Sequence, residues 1–245
     1  MAMVKGAALV VGAGDDLGGA IAMAFAREGY AACVTRRPRH GDKLDALAQR
    51  IRDAGHVAHA YGVDAREEND TIHLIETIER DVAPIEVAVF NIGANVRFAA
   101  TETTAQVYRK VWEMAAFAGF LMGREVAKRM LARGRGTILF TGATASVRGR
   151  DGFSAFAGAK HALRALAQSM ARELGPQGIH VAHVVIDGAI DSNFIREMMP
   201  DVDEKRARDA ILSPAAIAEN YVWLHKQHRS AWTHEMDLRP WSEAW

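Results

Sequence analysis

The sequence predicts an α/β protein in which a doubly wound parallel sheet is covered by helices on both faces, forming a three-layer sandwich. Short apolar runs alternate with longer amphipathic stretches along the 245 residues. The apolar runs are hydrophobic at successive positions, which is typical of strands buried on both faces. Glycines recur where the amphipathic stretches end, as expected at helix ends.

Six apolar runs are predicted as strands, and a seventh strand followed by a tail is expected near the carboxyl terminus. The runs span residues 7–11, 31–35, 57–60, 85–90, 137–141 and 180–186, and the seventh strand lies within 231–240. Because strands alternate with helices, we expect parallel strands joined by right-handed crossovers.

Helices are predicted between the strands. They span residues 17–28, 43–54, 67–81, 104–132, 153–174 and 214–225, and Gly29, Gly55, Gly134 and Gly175 stand at predicted stops. Residues 1–245 are expected to form one domain, since sheets of this kind reach this length as a single unit. The least regular segment, residues 187–212, is either a mobile lid over a site or a solvated surface helix.

Charge and cysteine content narrow the possible functions. Thirty basic and thirty acidic residues balance to a formal charge of zero, so no global charge favours nucleic acid or an anionic membrane, and a small-molecule partner is expected. The single cysteine, Cys33, excludes an internal disulfide and lies in an apolar run that predicts core packing. The first apolar run is too short for a signal peptide or a membrane span, which predicts a cytoplasmic protein.

The histidines predict no metal site. His225 and His228 are three residues apart near a predicted helix end, but no third ligand follows at a convincing spacing. We therefore expect these two histidines to be surface residues.

A glycine-rich turn joins the first predicted strand to the first predicted helix. It contains Gly12, Gly14, Asp16, Leu17 and Gly18. At such a turn the pyrophosphate of a dinucleotide meets backbone N–H groups and the positive end of a helix. Tight turns also need glycine for steric reasons alone, so the strand–turn–helix setting carries the prediction.

The second predicted strand is followed by basic residues. Enzymes that prefer NAD usually place an acidic residue here, whereas this chain has Arg36 and Arg37. Since a guanidinium matches a 2′-phosphate in charge and hydrogen bonding, NADP(H) is favoured over NAD(H). The alternative is that Arg36, Arg37 and Arg39 form a solvated basic loop.

These motifs resemble the short-chain dehydrogenase/reductase family, whose first turn reads T-G-x-x-x-G-x-G. Gly12 and Gly18 match its first and last glycines, while Val11 replaces the threonine and Asp16 the middle glycine. The resemblance extends from residue 6 to about residue 238. It implies a Rossmann-like fold, a nicotinamide cofactor, a small carbonyl or alcohol substrate, and a homodimer or homotetramer.

Later strand ends are also similar to positions at which the family binds its cofactor. The matching residues are Asp64, Ala65, Asn91, Gly93, Gly188 and Ile190. Asp187 stands where the family has proline, and Gly188 and Ile190 would border the nicotinamide. Asp64 has the alternative role of capping the following helix.

The family's catalytic groups are a tyrosine, a lysine four residues later, a serine and an asparagine. Lys160 matches the lysine, but Phe156 stands at the tyrosine, Ala143 at the serine and Ala115 at the asparagine. Phenylalanine fills the volume of tyrosine without its hydroxyl, so the resemblance implies the pocket's shape without its proton donor. Lys160 keeps a cofactor-binding role in holding ribose hydroxyls.

Two functions from different classes therefore stay open. One is an NADP(H)-binding oxidoreductase with weak or atypical catalysis, and the other is a non-catalytic NAD(P)-binding sensor or oligomer partner. Substitute proton donors would come from the same strand–loop–helix segment. The candidates are Thr141, Thr144, Ser146, Ser154 and His161. Ser154 is expected to cap or precede its helix.

Aromatic residues outside these motifs allow alternative placements. One set packs either a subunit interface or the core, and the other either closes over the pocket or docks on a neighbouring subunit. The first set is Trp112, Phe117 and Phe120, and the second is Trp232, Trp241 and Trp245.

Overall fold

The structure is a computed structural model that describes residues 4–243. Within that range, seven strands form one parallel sheet in the order β3-β2-β1-β4-β5-β6-β7. The strands are β1 Ala7–Val11, β2 Ala31–Arg36, β3 Ala58–Gly62, β4 Ile85–Phe90, β5 Gly136–Thr141, β6 Ile179–Ile186 and β7 Glu235–Leu238. The predicted fold class and the six predicted strands are confirmed, with strand ends displaced by at most two residues.

Helices cover both faces of the sheet, and the longer ones turn an apolar side towards it. They are α1 Leu17–Arg27, α2 Gly41–Asp53, α3 Glu68–Asp81, α4 Ala105–Trp112, α5 Ala118–Arg133, α6 Ser154–Leu174, α7 Asn193–Met198, α8 Val202–Ala207 and α9 Pro214–Lys226. One large apolar cluster holds side chains of α1, α2 and α9, and the other holds side chains of α3, α5 and α6. The strands contribute alternate residues to the two clusters, as expected for a central sheet.

One predicted helix was wrong in detail. The helix predicted over residues 104–132 begins after Thr104, whose hydroxyl accepts the Val107 N–H, and it contains a π-helical turn, Glu113–Phe117, between α4 and α5. Gly175 directly follows the last residue of α6, as predicted, and begins a short 3-10 turn in right-handed helical geometry. The left-handed residue that ends this region is Gly178, with φ +86°.

The strand order creates a crevice at the carboxyl edge of the sheet. The chain runs outward from β1 to β2 and β3, then returns to pair β4 on the other side of β1. Open α/β sheets bind ligands at this reversal, beyond the carboxyl ends of the strands. The turns after β1, β2, β4, β5 and β6 all open on this edge, so the residues predicted for the site converge here.

Residues 187–212 contain two short helices, α7 and α8, rather than one surface helix. A single bridge between Ile190 and Leu212 closes the segment at its base. Arg196 and Arg206 both bind the carboxylate of Asp191, which ties the helices to the start of the segment. In the described range, the helices include none that is long and apolar enough to cross a membrane.

Candidate functional site

Among the described residues, two adjoining cavities lie at the carboxyl edge of the sheet. Their volumes are about 490 and 250 Å³. Predicted residues that line the larger one are Gly12, Gly14, Asp16, Leu17, Gly18, Asn91, Gly93, Ala143, Phe156, Lys160, Gly188 and Ile190. The smaller one, the basic cavity, is lined by Arg36, Arg37, Asp64 and Ala65 and shares Gly12, Gly14, Asn91 and Gly93 with its neighbour. Of the predicted positions, Ala115 lines neither.

The glycine turn leaves its backbone open to the larger cavity. A Cβ at Gly18 would lie 2.6 Å from the Gly12 carbonyl oxygen, and Gly12 itself has φ +89°. Both glycines are therefore required by the turn. At Gly14, by contrast, a Cβ would have no described atom within 4 Å. The turn thus forms a backbone cradle that fits a pyrophosphate.

Asp16 lies at the edge of this cradle. It precedes α1, and its Oδ1 accepts the Asn193 N–H at 3.4 Å. The carboxylate that replaces the family's middle glycine thus contacts the first residue of α7. This contact joins the glycine turn to residues 187–212.

The basic cavity contains three neighbouring guanidinium groups. Arg66 pairs with Asp64 through two hydrogen bonds of 2.9 and 2.5 Å. Arg36 lies 3.5 Å from Asp15, yet its buried Nη1 has no hydrogen-bond partner among the described atoms. Burial, followed by repulsion from neighbouring arginines, lowers the pKa of Arg37. A phosphate monoester would supply the missing acceptors and the negative charge.

Asp64 does not cap the following helix. Its carboxylate accepts hydrogen bonds from the backbone and the side chain of Arg66, while the residue preceding α3 is Glu67. The capping alternative was therefore wrong. The hydrogen-bonded ion pair with Arg66 lowers the pKa of Asp64, which favours the ionised carboxylate.

Lys160 is buried beneath the larger cavity, one helical turn from Phe156. Its Nζ donates to the carbonyl oxygens of Ile92 at 3.0 Å and Thr141 at 2.8 Å, and it lies 5.9 Å from the centre of the Phe156 ring. Burial lowers the pKa of Lys160 to about 7. The lysine thus ties the end of β4 to the end of β5, and in its protonated form one of three N–H donors is left for a ligand.

The remaining catalytic positions are apolar. Ala143 follows β5, and its backbone N–H donates to Ser146 Oγ at 3.1 Å. Ala115 is fully buried in the π-helical turn, within an apolar cluster that includes Phe156 and Ala159. The position that matches the family's asparagine has therefore become part of the packing around Phe156.

The substitute proton donors differ in their access to the larger cavity. Of the five candidates, only Thr141 and Thr144 line it. The Thr141 hydroxyl pairs with the buried hydroxyl of Tyr221 at 2.7 Å, and Thr144 donates to Asp187 Oδ1 at 2.6 Å. His161 lies outside the cavity lining, and its Nδ1 contacts the Ala157 carbonyl oxygen.

Both serine candidates lie outside the cavity lining as well. Ser146 is fully buried, and its Oγ accepts the Ala143 N–H. Ser154 is the first residue of α6, and in the described chain no side-chain capping hydrogen bond is present there. The expected cap was therefore wrong.

Sequence reasoning missed an ionic cluster around Asp187. This carboxylate is 4 % exposed and accepts hydrogen bonds from Thr144 and from Arg148 Nη2, the latter at 3.3 Å. Arg239 Nη2 lies 3.6 Å from its other oxygen. These partners are 39 or more residues from Asp187 in the chain, so no local motif announces them.

Gly142 separates the larger cavity from a chain of polar groups that begins at the buried His183. A Cβ at this position would lie 2.4 Å from His183 Nε2. His183 Nδ1 contacts Glu235 at 3.0 Å, and Glu235 forms two 2.6 Å hydrogen bonds with Arg164. Burial lowers the pKa of His183 to about 4, so the ring is neutral at pH 7 and Nδ1 donates to the carboxylate.

The prediction that both C-terminal histidines are surface residues was wrong for His225. Its ring is partly buried and contacts Tyr30 through Nε2 at 2.7 Å and Thr137 through Nδ1 at 2.9 Å. His228 is exposed. Among the described residues, no group of three metal-ligating side chains is close enough to hold an ion.

Several aromatic residues also differ from the alternatives. Core packing was wrong for Trp112 and Phe120, which are exposed and stack on either side of Phe117. Trp232 does not close over the cavity, because it stacks on His180 near the amino end of β6. Trp241 is exposed and donates to the Arg208 carbonyl oxygen. Trp245 lies outside the described residues.

Known proteins share this architecture and sequence pattern. A short-chain dehydrogenase from Rhodopseudomonas palustris is 47 % identical, with 96 % of this chain and 99 % of that chain covered and a TM-score of 0.82. An actinorhodin polyketide ketoreductase solved with NADPH is 24 % identical, covers 98 % of both chains and has a TM-score of 0.87. Gluconate 5-dehydrogenase from Gluconobacter oxydans is 29 % identical over 78 % of this chain and 72 % of its own length.

The family model for short chain dehydrogenases matches residues 6–203. This range contains the glycine turn, the basic cavity and Lys160, and it spans most of the chain. The chain therefore belongs to the short-chain dehydrogenase family.

Proposed function

We propose that this protein is an NADP(H)-binding oxidoreductase that acts weakly or atypically on a small carbonyl or alcohol. One observation carries the proposal: a backbone cradle for a pyrophosphate continues into a basic cavity at one side and reaches Lys160 at the other. The arrangement follows the length of a dinucleotide across the crevice. NADP(H) would supply or accept the hydride in such a reaction.

Each part of the cofactor has a proposed partner in the chain. The pyrophosphate meets the turn from Gly12 to Gly18, and the 2′-phosphate meets Arg36 and Arg37. The Nη1 of Arg36 supports this assignment, because it lies 3.5 Å from Asp15 but has no hydrogen-bond partner among the described atoms. The remaining proposed contacts fall at the adenine, the ribose and the nicotinamide. They are Asp64 and Ala65 for adenine, Asn91, Gly93 and Lys160 for the ribose, and Gly188 and Ile190 for nicotinamide.

The proposed chemistry is weak because the proton donor of the family is replaced. Phe156 offers no hydroxyl, and the Thr144 proton is directed at Asp187. Without the phenol, Lys160 has no acid to tune and would serve to hold the ribose. The same replacements favour the second candidate, a non-catalytic NAD(P)-binding sensor that keeps the binding site and has lost the reaction.

Residues 187–212 are proposed as a lid within a single-domain chain. The Asp16–Asn193 contact supports this, because it spans from the glycine turn to α7. The exposed stack of Trp112, Phe117 and Phe120 supports a homodimer or homotetramer, since apolar aromatic surface of this kind is enriched at interfaces. Light scattering on Phe120→Glu tests it, and an unchanged mass would remove this surface from the interface.

Nucleotide titration tests the cofactor proposal. NADPH should bind about 10- to 100-fold more tightly than NADH, because a 2′-phosphate gains two charge-assisted contacts. The double variant Arg36→Ala/Arg37→Ala should lose this preference, while Arg39→Ala, on the same loop but outside the cavity lining, should keep it. If the double variant and Arg39→Ala lost the NADPH preference equally, the three arginines would form a solvated basic loop instead.

Turnover separates the two candidate functions. NADPH oxidation would be followed with a panel of small ketones and aldehydes at high protein concentration. Slow reduction of any member supports the oxidoreductase. Tight NADPH binding with no turnover across the panel would leave the sensor, and no binding of either nucleotide would defeat both.

A further inference from the structure

One part of the larger cavity, which we call the aromatic end, lies over β5 and the start of α6. It is lined by Ala143, Ala145, Arg148, Arg150, Phe153 and Phe156. β4 separates this end from the glycine turn, which follows β1. Phe194 of α7 also lines the cavity and is 55 % exposed. A large apolar side chain left open at a cavity favours an apolar ligand.

The charged side chains that line the aromatic end are positive. Arg148 and Arg150 both lie there, and within the described lining the single carboxylate, that of Asp16, belongs to the glycine turn. Asp16 is directed at the Asn193 N–H, so it does not pair with either arginine. Arg148 is paired only from outside the lining, by Asp187, so a ligand at this end meets two guanidinium groups beside hydrocarbon walls.

A buried carboxylate outside the cavity lining holds the Arg148 side chain in position. One guanidinium nitrogen lies 3.3 Å from Asp187, which is itself nearly fully buried. Asp187 also accepts a hydrogen bond from the Thr144 hydroxyl and contacts Arg239, which pairs with Asp237 as well. The Arg148 side chain stays 47 % exposed, which leaves N–H donors for the cavity. Such a fixed, planar fork matches a carboxylate.

We propose that the substrate is an apolar carboxylic acid bearing the reacting carbonyl or hydroxyl group, and that Arg148 binds its carboxylate. The inference rests on the proposed function of the same site and adds the substrate class. It differs from the sugar acid named in the relative gluconate 5-dehydrogenase, because Phe153, Phe156 and Phe194 offer hydrocarbon where a polyol needs hydrogen bonds.

The test uses two probes of the same shape, 4-phenylbutanoate and 4-phenylbutanamide, with gluconate as a polyhydroxylated acid. Neither phenyl probe carries a ketone or alcohol, so binding is read by calorimetry without turnover, both without nucleotide and with saturating NADP⁺. We expect the carboxylate to bind at least about tenfold more tightly than the amide, the usual gain from a charge-assisted pair. Gluconate should bind more weakly than the phenyl acid.

Variants assign this preference to one residue. Arg148→Gln should bring the two phenyl probes within about threefold of each other, and Arg148→Lys, which keeps the charge without the fork, should retain part of the preference. The matched control is Arg172→Gln, an exposed arginine of α6 whose side chain bonds only to its own helix in the described structure. Circular dichroism would check folding in each case.

Several results would overturn the inference. These are equal binding of acid and amide, no measurable binding of the acid at millimolar concentration in either arm, or an undiminished preference in Arg148→Gln. Gluconate binding as tightly as phenylbutanoate would contradict the proposal that the substrate is apolar. The arm without nucleotide is independent of NADPH affinity, so failure of the proposed cofactor and failure of this substrate class are told apart.

Discussion

The two sides of the crevice keep the family's chemistry to different extents. At the glycine turn, Gly12 and Gly18 are retained, and a Cβ on Gly18 would collide with backbone. At the catalytic positions, Phe156 and Ala143 stand where the family has polar groups, and both belong to one apolar cluster. Cofactor binding here depends on glycines that let the backbone of the turn pack closely. The fold itself requires these glycines. Proton transfer depends on single hydroxyl groups, which the fold does not require.

The largest expected effect comes from restoring the lost hydroxyl groups. Phe156→Tyr combined with Ala143→Ser should raise the rate of carbonyl reduction by about 10²- to 10⁴-fold, the usual contribution of a general acid. The Phe156 ring already lies one turn from Lys160, so a phenol there would share its helical face. NADPH oxidation with a ketone panel measures the change.

The matched control is Phe153→Tyr, which adds a phenol to the same cavity at another position. It should leave the rate within about threefold of the parent protein. If the double variant and the control gave equal rates, slow carbonyl reduction would not be due to the missing phenol at position 156.

A smaller effect is expected on the other side of the crevice. Gly14→Ala places a methyl group in the open cradle, where it meets no described atom but blocks a pyrophosphate. NADPH and NADH should both bind at least about tenfold more weakly, with thermal stability unchanged, since two or more backbone hydrogen bonds are lost. Fluorescence titration and a melting curve measure the two quantities.

Gly175→Ala provides the matched control for this substitution. A Cβ there likewise has no described neighbour within 4 Å, but the residue follows α6 outside both cavities. The control should leave nucleotide affinity unchanged. Undiminished binding by Gly14→Ala would show that the turn is a structural feature and that the nucleotide lies elsewhere.

The smallest expected effect concerns Lys160, where the two sides meet. Its pKa is about 7 in the folded protein and about 10.4 when unfolded. Between these values the unfolded state binds more protons, so the free energy of unfolding rises with pH. From pH 7 to 8.5 we expect a gain of about 1–2 kcal/mol that Lys160→Met lacks.

Urea unfolding at both pH values measures this difference, with the variant as the reference. The measurements stop at pH 8.5 because, at higher pH, titration of the Cys33 thiol in the unfolded state lowers the free energy of unfolding. Burial raises its pKa to about 12, so the unfolded state loses that proton first. Parallel pH profiles for the two proteins would mean that the lysine is charged in the folded state.

Sequence alone predicts the fold here because its signals are local. Runs of buried residues define the strands, and the glycine turn and Lys160 fall at fixed positions relative to them. The ionic cluster around Asp187 was not predictable in the same way, since Arg148 and Arg239 reach it only through the folded chain. An aspartate in place of proline marked the position without indicating its partners.

The exposed aromatic stack shows a second limit. Trp112 and Phe117 are five residues apart, a spacing that a regular α-helix places on different faces, yet their rings stack, and Trp112 and Phe120 are exposed. The π-helical turn changes which side of the helix each residue occupies, because it adds a residue to one turn. Hydrophobic periodicity assumes a constant turn and so misplaces residues that follow such an interruption.

The single cysteine, Cys33, makes the molecule well suited to site-specific labelling. Its thiol is fully buried in β2 and stays protonated at neutral pH, so maleimide reagents do not reach it in the folded protein. A new cysteine at the exposed Met198 in α7 would then be the one reactive thiol of the chain. A dye attached there would test whether α7 moves when a ligand binds, without background from the native sequence.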